Sequence, residues 1–199
     1  MKSQKYPYFT IVISILTVCY SLYVNYQISG SLFGKFKYTQ LEPYGGVSFG
    51  HLCNLELWRL FASQLIHLKS PHMFFNVLSF LLLGSILEKD IGWTRFFVLW
   101  FVSGVCGTLS STLTVEPPWN IGTGASQAVM GVAALGTLAI WRKFNTTFIL
   151  KFSVGFAILP ALLIDLIYAH HPKLGHIIGF LVGFLVGLYF LRSGKQPQN

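Results

Sequence analysis

Six long apolar runs constrain this sequence of 199 residues more than any other feature. A membrane-spanning helix needs about 20 apolar residues, so six of them take roughly 120 residues and leave no room for a separate soluble domain. Charged residues make up only 10% of the chain, against about 25% in an average soluble domain. We therefore predict an all-α, polytopic membrane protein with a single domain over 1–199. The predicted spans are 8–29, 72–87, 95–114, 124–141, 147–169 and 174–191.

The basic residues indicate how the chain is oriented in the membrane. Its net charge is +8, but the 14 Lys and Arg residues are scattered in ones and twos, so we expect no nucleic-acid partner. The loop 114–123 has no Lys or Arg, whereas Arg142 and Lys143 follow the fourth span. By the positive-inside rule, both termini are predicted to be cytoplasmic, a placement that Lys2 and Lys195 support. We expect an integral, multi-pass protein of a prokaryotic plasma membrane.

About 40 residues separate the first two predicted spans. Glycines interrupt the first half of this segment, while its second half, 52–66, is rich in Leu, Phe and Trp. Such a segment is too interrupted to cross the membrane and too apolar for water. We predict an interfacial or partly re-entrant loop that packs against the helices.

Four polar residues are expected at one depth in the membrane. Spans two, four and six all run from outside to inside, and each begins with polar groups: His72 and Asn76, Ser126, and His176. Polar side chains inside a membrane are costly, so each one is a functional candidate. Their shared position predicts a site just below the outer surface.

Ser126 and His176 form a candidate nucleophile and base. A serine in the first turn of a helix lies among free backbone N–H groups, which also suits an ordinary N-cap. A histidine can take the proton of a serine hydroxyl. His176 and Gly183 are seven residues apart and share a helix face, and small residues let helices approach closely. We expect that face to pack against Ala133 and Thr137 of the fourth span.

His72 and Asn76 are candidates for an oxyanion site. They lie four residues apart and therefore project from one helix face. Both side chains can donate hydrogen bonds to an anionic oxygen. The alternative is a buried pair in which the two side chains satisfy each other.

Several motifs together resemble the rhomboid intramembrane serine proteases over roughly 52–190. Each motif alone is weak, but their order along the chain is specific. They are Trp58-Arg59, His67, the pattern H-x-x-x-N at His72 and Asn76, Glu88 with Gly92, Gly124-x-Ser126, and Gly175-His176-x-x-Gly179.

The resemblance implies a six-helix bundle in which a Ser-His dyad cleaves transmembrane substrates near the outer surface. Ser126 would be the nucleophile and His176 the general base. His72 and Asn76, with the backbone N–H of Ser126, would form the oxyanion hole. Glu56, Arg59 and Glu88 would be architectural. The expected partners are transmembrane protein substrates and membrane lipids, and we expect neither a cofactor nor a metal ion.

Three positions keep alternatives open. Gln127 stands where the family usually has glycine, which leaves open an inactive rhomboid-like protein that binds transmembrane clients. Met130 replaces a frequent aromatic residue that stacks on the catalytic histidine, and its thioether could fill the same space. Asp165 lies 11 residues before His176 and could complete a triad, although a lone intramembrane Asp more often pairs with a neighbouring donor. A metal site is less favoured because the chain has no H-E-x-x-H motif. A transporter is also less favoured, because the sequence shows no internal repeat.

Overall fold

The computed structural model describes residues 5–192, so Lys2 and Lys195 lie outside the described residues. This part of the chain is helical, with one isolated bridge between Val47 and Gly122. The elements, in chain order, are α1 (Tyr8–Ser29), a 3₁₀ helix (Tyr38–Tyr44), α2 (Phe49–Cys53), α3 (Arg59–Ala62), α4 (Ser70–Ile91), α5 (Trp93–Thr112), α6 (Ser126–Trp141), α7 (Phe148–Ala169) and α8 (Leu174–Arg192).

The six predicted spans correspond to α1 and to the five helices α4 to α8. The largest difference in position is four residues, at the end of α4, which runs to Ile91 instead of residue 87. Among the described residues, α1, α4, α7 and α8 are long and apolar enough to cross a membrane, whereas α6 is a shorter apolar helix. The protein is therefore an all-helical membrane protein, and the number of six spans stays a prediction.

The central helix of the bundle is α6. It packs against α4, α5, α7 and α8, and 13 of its 16 residues are buried. Its neighbour α5 follows α4 directly, since Gly92 ends α4 with a φ of 84° and turns the chain back. The burial of α6 places its first residue, Ser126, inside the protein.

Glycines bring α6 and α8 into backbone contact. A methyl group added at Gly183 would lie 2.4 Å from both Cα and O of Gly131, and one added at Gly179 would lie 2.4 Å from O of Gln127. We expected these helices to approach closely, with the face that carries His176 and Gly183 in the contact, and both expectations are confirmed. The prediction that Ala133 and Thr137 form the facing surface is wrong, because α6 presents Gln127, Gly131 and Leu135 to the α8 glycines.

Arg59 organises the segment between α1 and α4. Its side chain is almost fully buried, and its Nε donates to Oε2 of Glu56 at 2.6 Å. Its NH1 donates to the carbonyls of Gly46, at 2.9 Å, and Glu42. The segment is built of short helices, and Leu57 and Trp58 are exposed. Its position at the membrane interface stays a prediction.

Glu88 joins the end of α4 to the start of α1. Its fully buried carboxylate accepts hydrogen bonds from the backbone N–H groups of Phe9, at 3.0 Å, and Thr10, at 2.8 Å. It also accepts from the hydroxyl of Thr10 at 2.7 Å. The first N–H groups of a helix have no partner within it, so this carboxylate caps α1. The architectural interpretation of Glu88 agrees with this contact.

Candidate active site

Ser126 and His176 meet at the ends of two neighbouring helices. Ser126 is the first residue of α6, and its Oγ lies 3.0 Å from Nε2 of His176, near the start of α8. Both residues are buried, with 7% and 5% of their surface exposed. The N-cap interpretation of Ser126 is wrong, since Ala125 occupies that position and the Ser126 hydroxyl contacts side chains instead.

The other ring nitrogen of His176 contacts a carboxylate. Nδ1 lies 2.6 Å from Oδ2 of Asp165, a fully buried residue of α7. Asp165 also pairs with the expected neighbouring donor, because Oδ2 accepts from the backbone N–H of Lys173 at 3.0 Å. An ionised carboxylate only accepts hydrogen bonds. The His176 proton is therefore assigned to Nδ1, which leaves Nε2 free to accept from Ser126.

Gln127 supplies a second acceptor for the same serine hydroxyl. Its Oε1 lies 3.2 Å from Oγ of Ser126. A hydroxyl carries a single hydrogen, so Gln127 and His176 compete for it. The side chain fits because Gly107 of α5 leaves space for it: a methyl group at Gly107 would lie 2.7 Å from Cβ of Gln127. Met130, the other departure from the family pattern, is buried, and its contact with the His176 ring stays a prediction.

Asn76 and His72 lie on α4, next to the ring of His67 at the start of α6. Asn76 is buried, and its Nδ2 donates to Nε2 of His67 at 3.0 Å. The backbone N–H of Ala125 donates to the same nitrogen at 3.3 Å. The His67 ring thus links Asn76 to the backbone N–H of Ala125, the residue before Ser126. An amide NH2 has two hydrogens, so one remains for a ligand.

His72 is solvent-accessible and stands beside the same ring. The rings of His72 and His67 are nearly perpendicular, with their centroids 5.6 Å apart. A charge on His72 would interact with His176, Lys173 and Asp165. Since Asn76 pairs with His67, the alternative of a mutually satisfied His72–Asn76 pair is wrong.

His67 is the residue whose position the sequence did not explain. Its Nε2 accepts from Asn76 and Ala125, so its proton lies on Nδ1 and faces Oγ of Ser21, 3.3 Å away on α1. Burial and, to a smaller extent, the neighbouring His72 lower the pKa of His67 from its ordinary value of 6.5 to about 3. The ring therefore stays neutral and ties α1 and α4 to the start of α6. The sequence singled out His67 only as one of the rhomboid motifs and gave it no role, because it lies outside the predicted spans, where a polar residue is unremarkable.

Comparison with known proteins assigns this arrangement to a family. The model of the Rhomboid domain matches residues 54–193, which is close to the region 52–190 that carries the motifs. Inactive RHOMBOID-like protein 8 of Arabidopsis thaliana is 33% identical over 128 residues, 58% of this chain and 36% of that protein. Rhomboid-like protease 3 of Toxoplasma gondii is 29% identical over 141 residues, 69% of this chain and 53% of that protein.

A bacterial relative is similar over a shorter part. The putative rhomboid protease YdcA of Bacillus subtilis (strain 168) is 35% identical over 81 residues, 41% of this chain and 40% of that protein. The chain thus spans between about a third and about half of the length of these three relatives. Since they come from a plant, a parasite and a bacterium, they give no support to the expected prokaryotic plasma membrane.

Proposed function

The chain belongs to the rhomboid family, and on this premise we propose that it is an intramembrane serine endopeptidase that cleaves transmembrane proteins near the outer membrane face. The observation that carries the proposal is the 3.0 Å contact between Oγ of Ser126 and Nε2 of His176, two buried groups from different helices. A serine hydroxyl is a weak nucleophile until a base within hydrogen-bond reach accepts its proton. This contact supplies such a base.

The proposed reaction is acyl transfer to Ser126. As Oγ attacks the scissile carbonyl carbon, its proton moves to Nε2 of His176, and the electron pair of the carbonyl π bond moves to the oxygen. Collapse of this oxyanion breaks the C–N bond, and the proton on Nε2 goes to the leaving nitrogen. Water then attacks the ester, gives one proton to His176 and releases the new carboxyl group, after which Ser126 regains its proton.

Three donors are proposed to stabilise the oxyanion. The backbone N–H of Ser126 belongs to the first turn of α6, where N–H groups have no acceptor within the helix and the helix dipole favours negative charge. Asn76 keeps one amide hydrogen after its bond to His67. His72 stands next to His67 and can donate from its ring. Donors fixed before the reaction stabilise the charge that develops in the transition state.

We propose that α1 and α4 to α8 form six spans with cytoplasmic termini. Arg142 and Lys143 then lie at the inner end of α6, and Ser126 lies at its outer end. The peptide groups of a substrate helix are hydrogen-bonded internally, so a scissile carbonyl becomes accessible only where that helix unwinds. Gly or Pro near the outer end of a substrate span should therefore favour cleavage, with lipids forming the surroundings.

Cleavage of a single-span substrate by the full chain in liposomes tests the proposal. Ser126→Ala and His176→Ala should each abolish cleavage, with the thermal unfolding midpoint within a few degrees of that of the unchanged chain. Ser153→Ala is the matched control, because Ser153 is buried too, but its hydroxyl donates to the carbonyl of Ile149 in its own helix, at 2.7 Å. Cleavage at the normal rate by either of the first two variants would refute the Ser-His assignment.

The second candidate function is an inactive rhomboid-like protein that binds transmembrane clients. The bond between Ser126 and Oε1 of Gln127, 3.2 Å long, favours it, since it withdraws the hydroxyl hydrogen from His176. Labelling of Ser126 by a fluorophosphonate separates the two functions. Gln127→Met keeps the volume but removes the strong acceptor. If the probe labels Ser126 in Gln127→Met but not in the unchanged chain, Gln127 keeps the protein inactive and the second function holds.

A further inference from the structure

We infer that Asp165 is a positioning residue of this site, so that Ser126, His176 and Asp165 act as a triad where the family it resembles uses a dyad. The inference rests on the proposed protease function. A histidine ring can rotate and can carry its proton on either nitrogen. The contact between Ser126 and His176 alone does not fix the orientation or the tautomer of the His176 ring, and the inference concerns what does.

The three groups stand in series across one imidazole ring. Oδ2 of Asp165 lies 2.6 Å from Nδ1 of His176, and Nε2 on the other side of the ring lies 3.0 Å from Oγ of Ser126. All three residues are buried, and Asp165 is completely inaccessible. Hydrogen bonds to a charged group are shorter and stronger than neutral ones, and 2.6 Å is slightly below the range of about 2.7–2.9 Å that is usual for a nitrogen donor and a carboxylate.

The carboxylate is itself held in place by the turn that joins α7 to α8. Oδ2 accepts from the backbone N–H of Lys173 at 3.0 Å. Oδ1 has no hydrogen bond of good geometry, but Nζ of Lys173 lies 3.3 Å away. That lysine side chain is half exposed, so its attraction is weakened by solvent. The backbone N–H and His176 are therefore the partners that fix the direction of the carboxylate.

In the reaction Asp165 stays ionised and transfers no proton. It accepts the Nδ1 hydrogen throughout, which keeps Nε2 unprotonated before the attack and facing the Ser126 hydroxyl. When Nε2 takes the serine proton, the nearby negative charge stabilises the imidazolium. The proton then goes to the leaving nitrogen, so Asp165 adds no proton transfer to the two-step hydrolysis described above.

Asp165→Asn tests this role in the cleavage assay. The Asn amide group would donate to Nδ1 and move the ring proton to Nε2, which could no longer accept from Ser126. We expect kcat to fall by about 10³-fold to 10⁴-fold, as in serine proteases with an established triad, with KM changed less than about twofold. Asp165→Glu, which retains the charge, should recover part of the loss.

Asp90→Asn is the matched control for removing a carboxylate near the end of a long helix. Asp90 lies in the last turn of α4 and accepts from Nδ2 of Asn145 at 2.9 Å. Its substitution should leave kcat unchanged. A wild-type kcat in Asp165→Asn, or an equal loss in Asp90→Asn and Asp165→Asn, would overturn the inference while leaving the dyad intact.

The tautomer of His176 gives a second readout that does not require activity. In the ¹⁵N spectrum of histidine-labelled protein, with the His176 signal identified from its loss in His176→Ala, the proton should be on Nδ1. It should move to Nε2 in Asp165→Asn. A proton on Nε2 in the unchanged chain overturns the inference even if the variant fails to fold. An unchanged chain with the proton on Nδ1 but no cleavage or probe labelling would refute the proposed function alone.

Discussion

Replacing Gly183 with alanine should separate Ser126 from His176, because no room exists between α6 and α8 for a methyl group. The added carbon would lie 2.4 Å from Cα and from O of Gly131. Non-bonded carbon atoms are most stable at about 3.5–4.0 Å, so the two helices must move apart by about 1 Å. The contacted atoms belong to the backbone, and therefore no side chain can rotate away to relieve the overlap.

The size of the effect on activity follows from where Gly183 lies. His176 precedes it by seven residues, about 10 Å along the axis of α8, and a rigid helix carries the displacement over that distance. The contact between Nε2 and Oγ would lengthen from 3.0 Å to about 4 Å, beyond hydrogen-bond range. A misplacement of about 1 Å can lower a catalytic rate about 100-fold, so we expect kcat to fall by about that factor.

Initial cleavage rates of a single-span substrate at saturating concentration measure this loss. Gly155→Ala on α7 is the matched control, because the nearest atom to its added methyl group is 4.0 Å away. There the substitution should preserve kcat and raise the free energy of unfolding by up to about 1 kcal/mol. A Gly183→Ala protein with kcat within threefold of the unchanged chain would refute the argument that this backbone contact sets the distance between Ser126 and His176.

Three further predictions concern the residues that support the site. Glu88→Gln should lower the free energy of unfolding by about 2 kcal/mol, since an amide cannot accept all three hydrogen bonds of the α1 cap; thermal unfolding in detergent measures it. Arg59→Lys should cost a similar amount, about 2 kcal/mol, because an ammonium cannot bond the Glu56 carboxylate and the Gly46 carbonyl in the same fork geometry, and an unchanged midpoint would contradict this. The pKa of His67 in the folded protein, about 3, lies below its ordinary value of 6.5. As pH falls below 6.5 the unfolded chain therefore binds a proton at His67 that the folded chain does not, and the free energy of unfolding should be about 2 kcal/mol lower at pH 5 than above pH 6.5. A His67→Gln protein, which retains the neighbouring His72, should show a flatter dependence of stability on pH in this range.

The helices and the central pair were accessible to sequence reasoning for physical reasons. Runs of apolar residues long enough to cross a membrane are rare in soluble domains, and the limits of these runs differ from the helices by at most four residues. Polar groups at membrane depth stand out against an apolar background, which singled out Ser126 and His176. The glycines after His176 then indicated a close helix contact, and Gly179 and Gly183 do meet the backbone of α6.

The facing surface of α6 could not be predicted in the same way. In a soluble protein the apolar side of a helix identifies its buried face, but 13 of the 16 residues of α6 are buried, so no side differs in polarity. Ala133 and Thr137 share the expected small size with Gly131. Only the geometry distinguishes them, since Gly183 requires a partner without a side chain.

The rotation of α7 determines the chemistry at Asp165, and no sequence pattern encodes it. Lipid is as apolar as the protein interior, so an apolar helix with few buried residues has no preferred face by hydrophobicity. The carboxylate itself restricts the choice, because a buried charge costs several kcal/mol unless it is paired. From the sequence, the partner of this carboxylate could be either His176 or a neighbouring donor. The structure brings the N–H of Lys173 and the ring of His176 to the same oxygen. Asp165 therefore fixes the orientation of His176 before a substrate arrives, and the hydrogen bond that satisfies the buried charge is the one that aims Nε2 at Ser126.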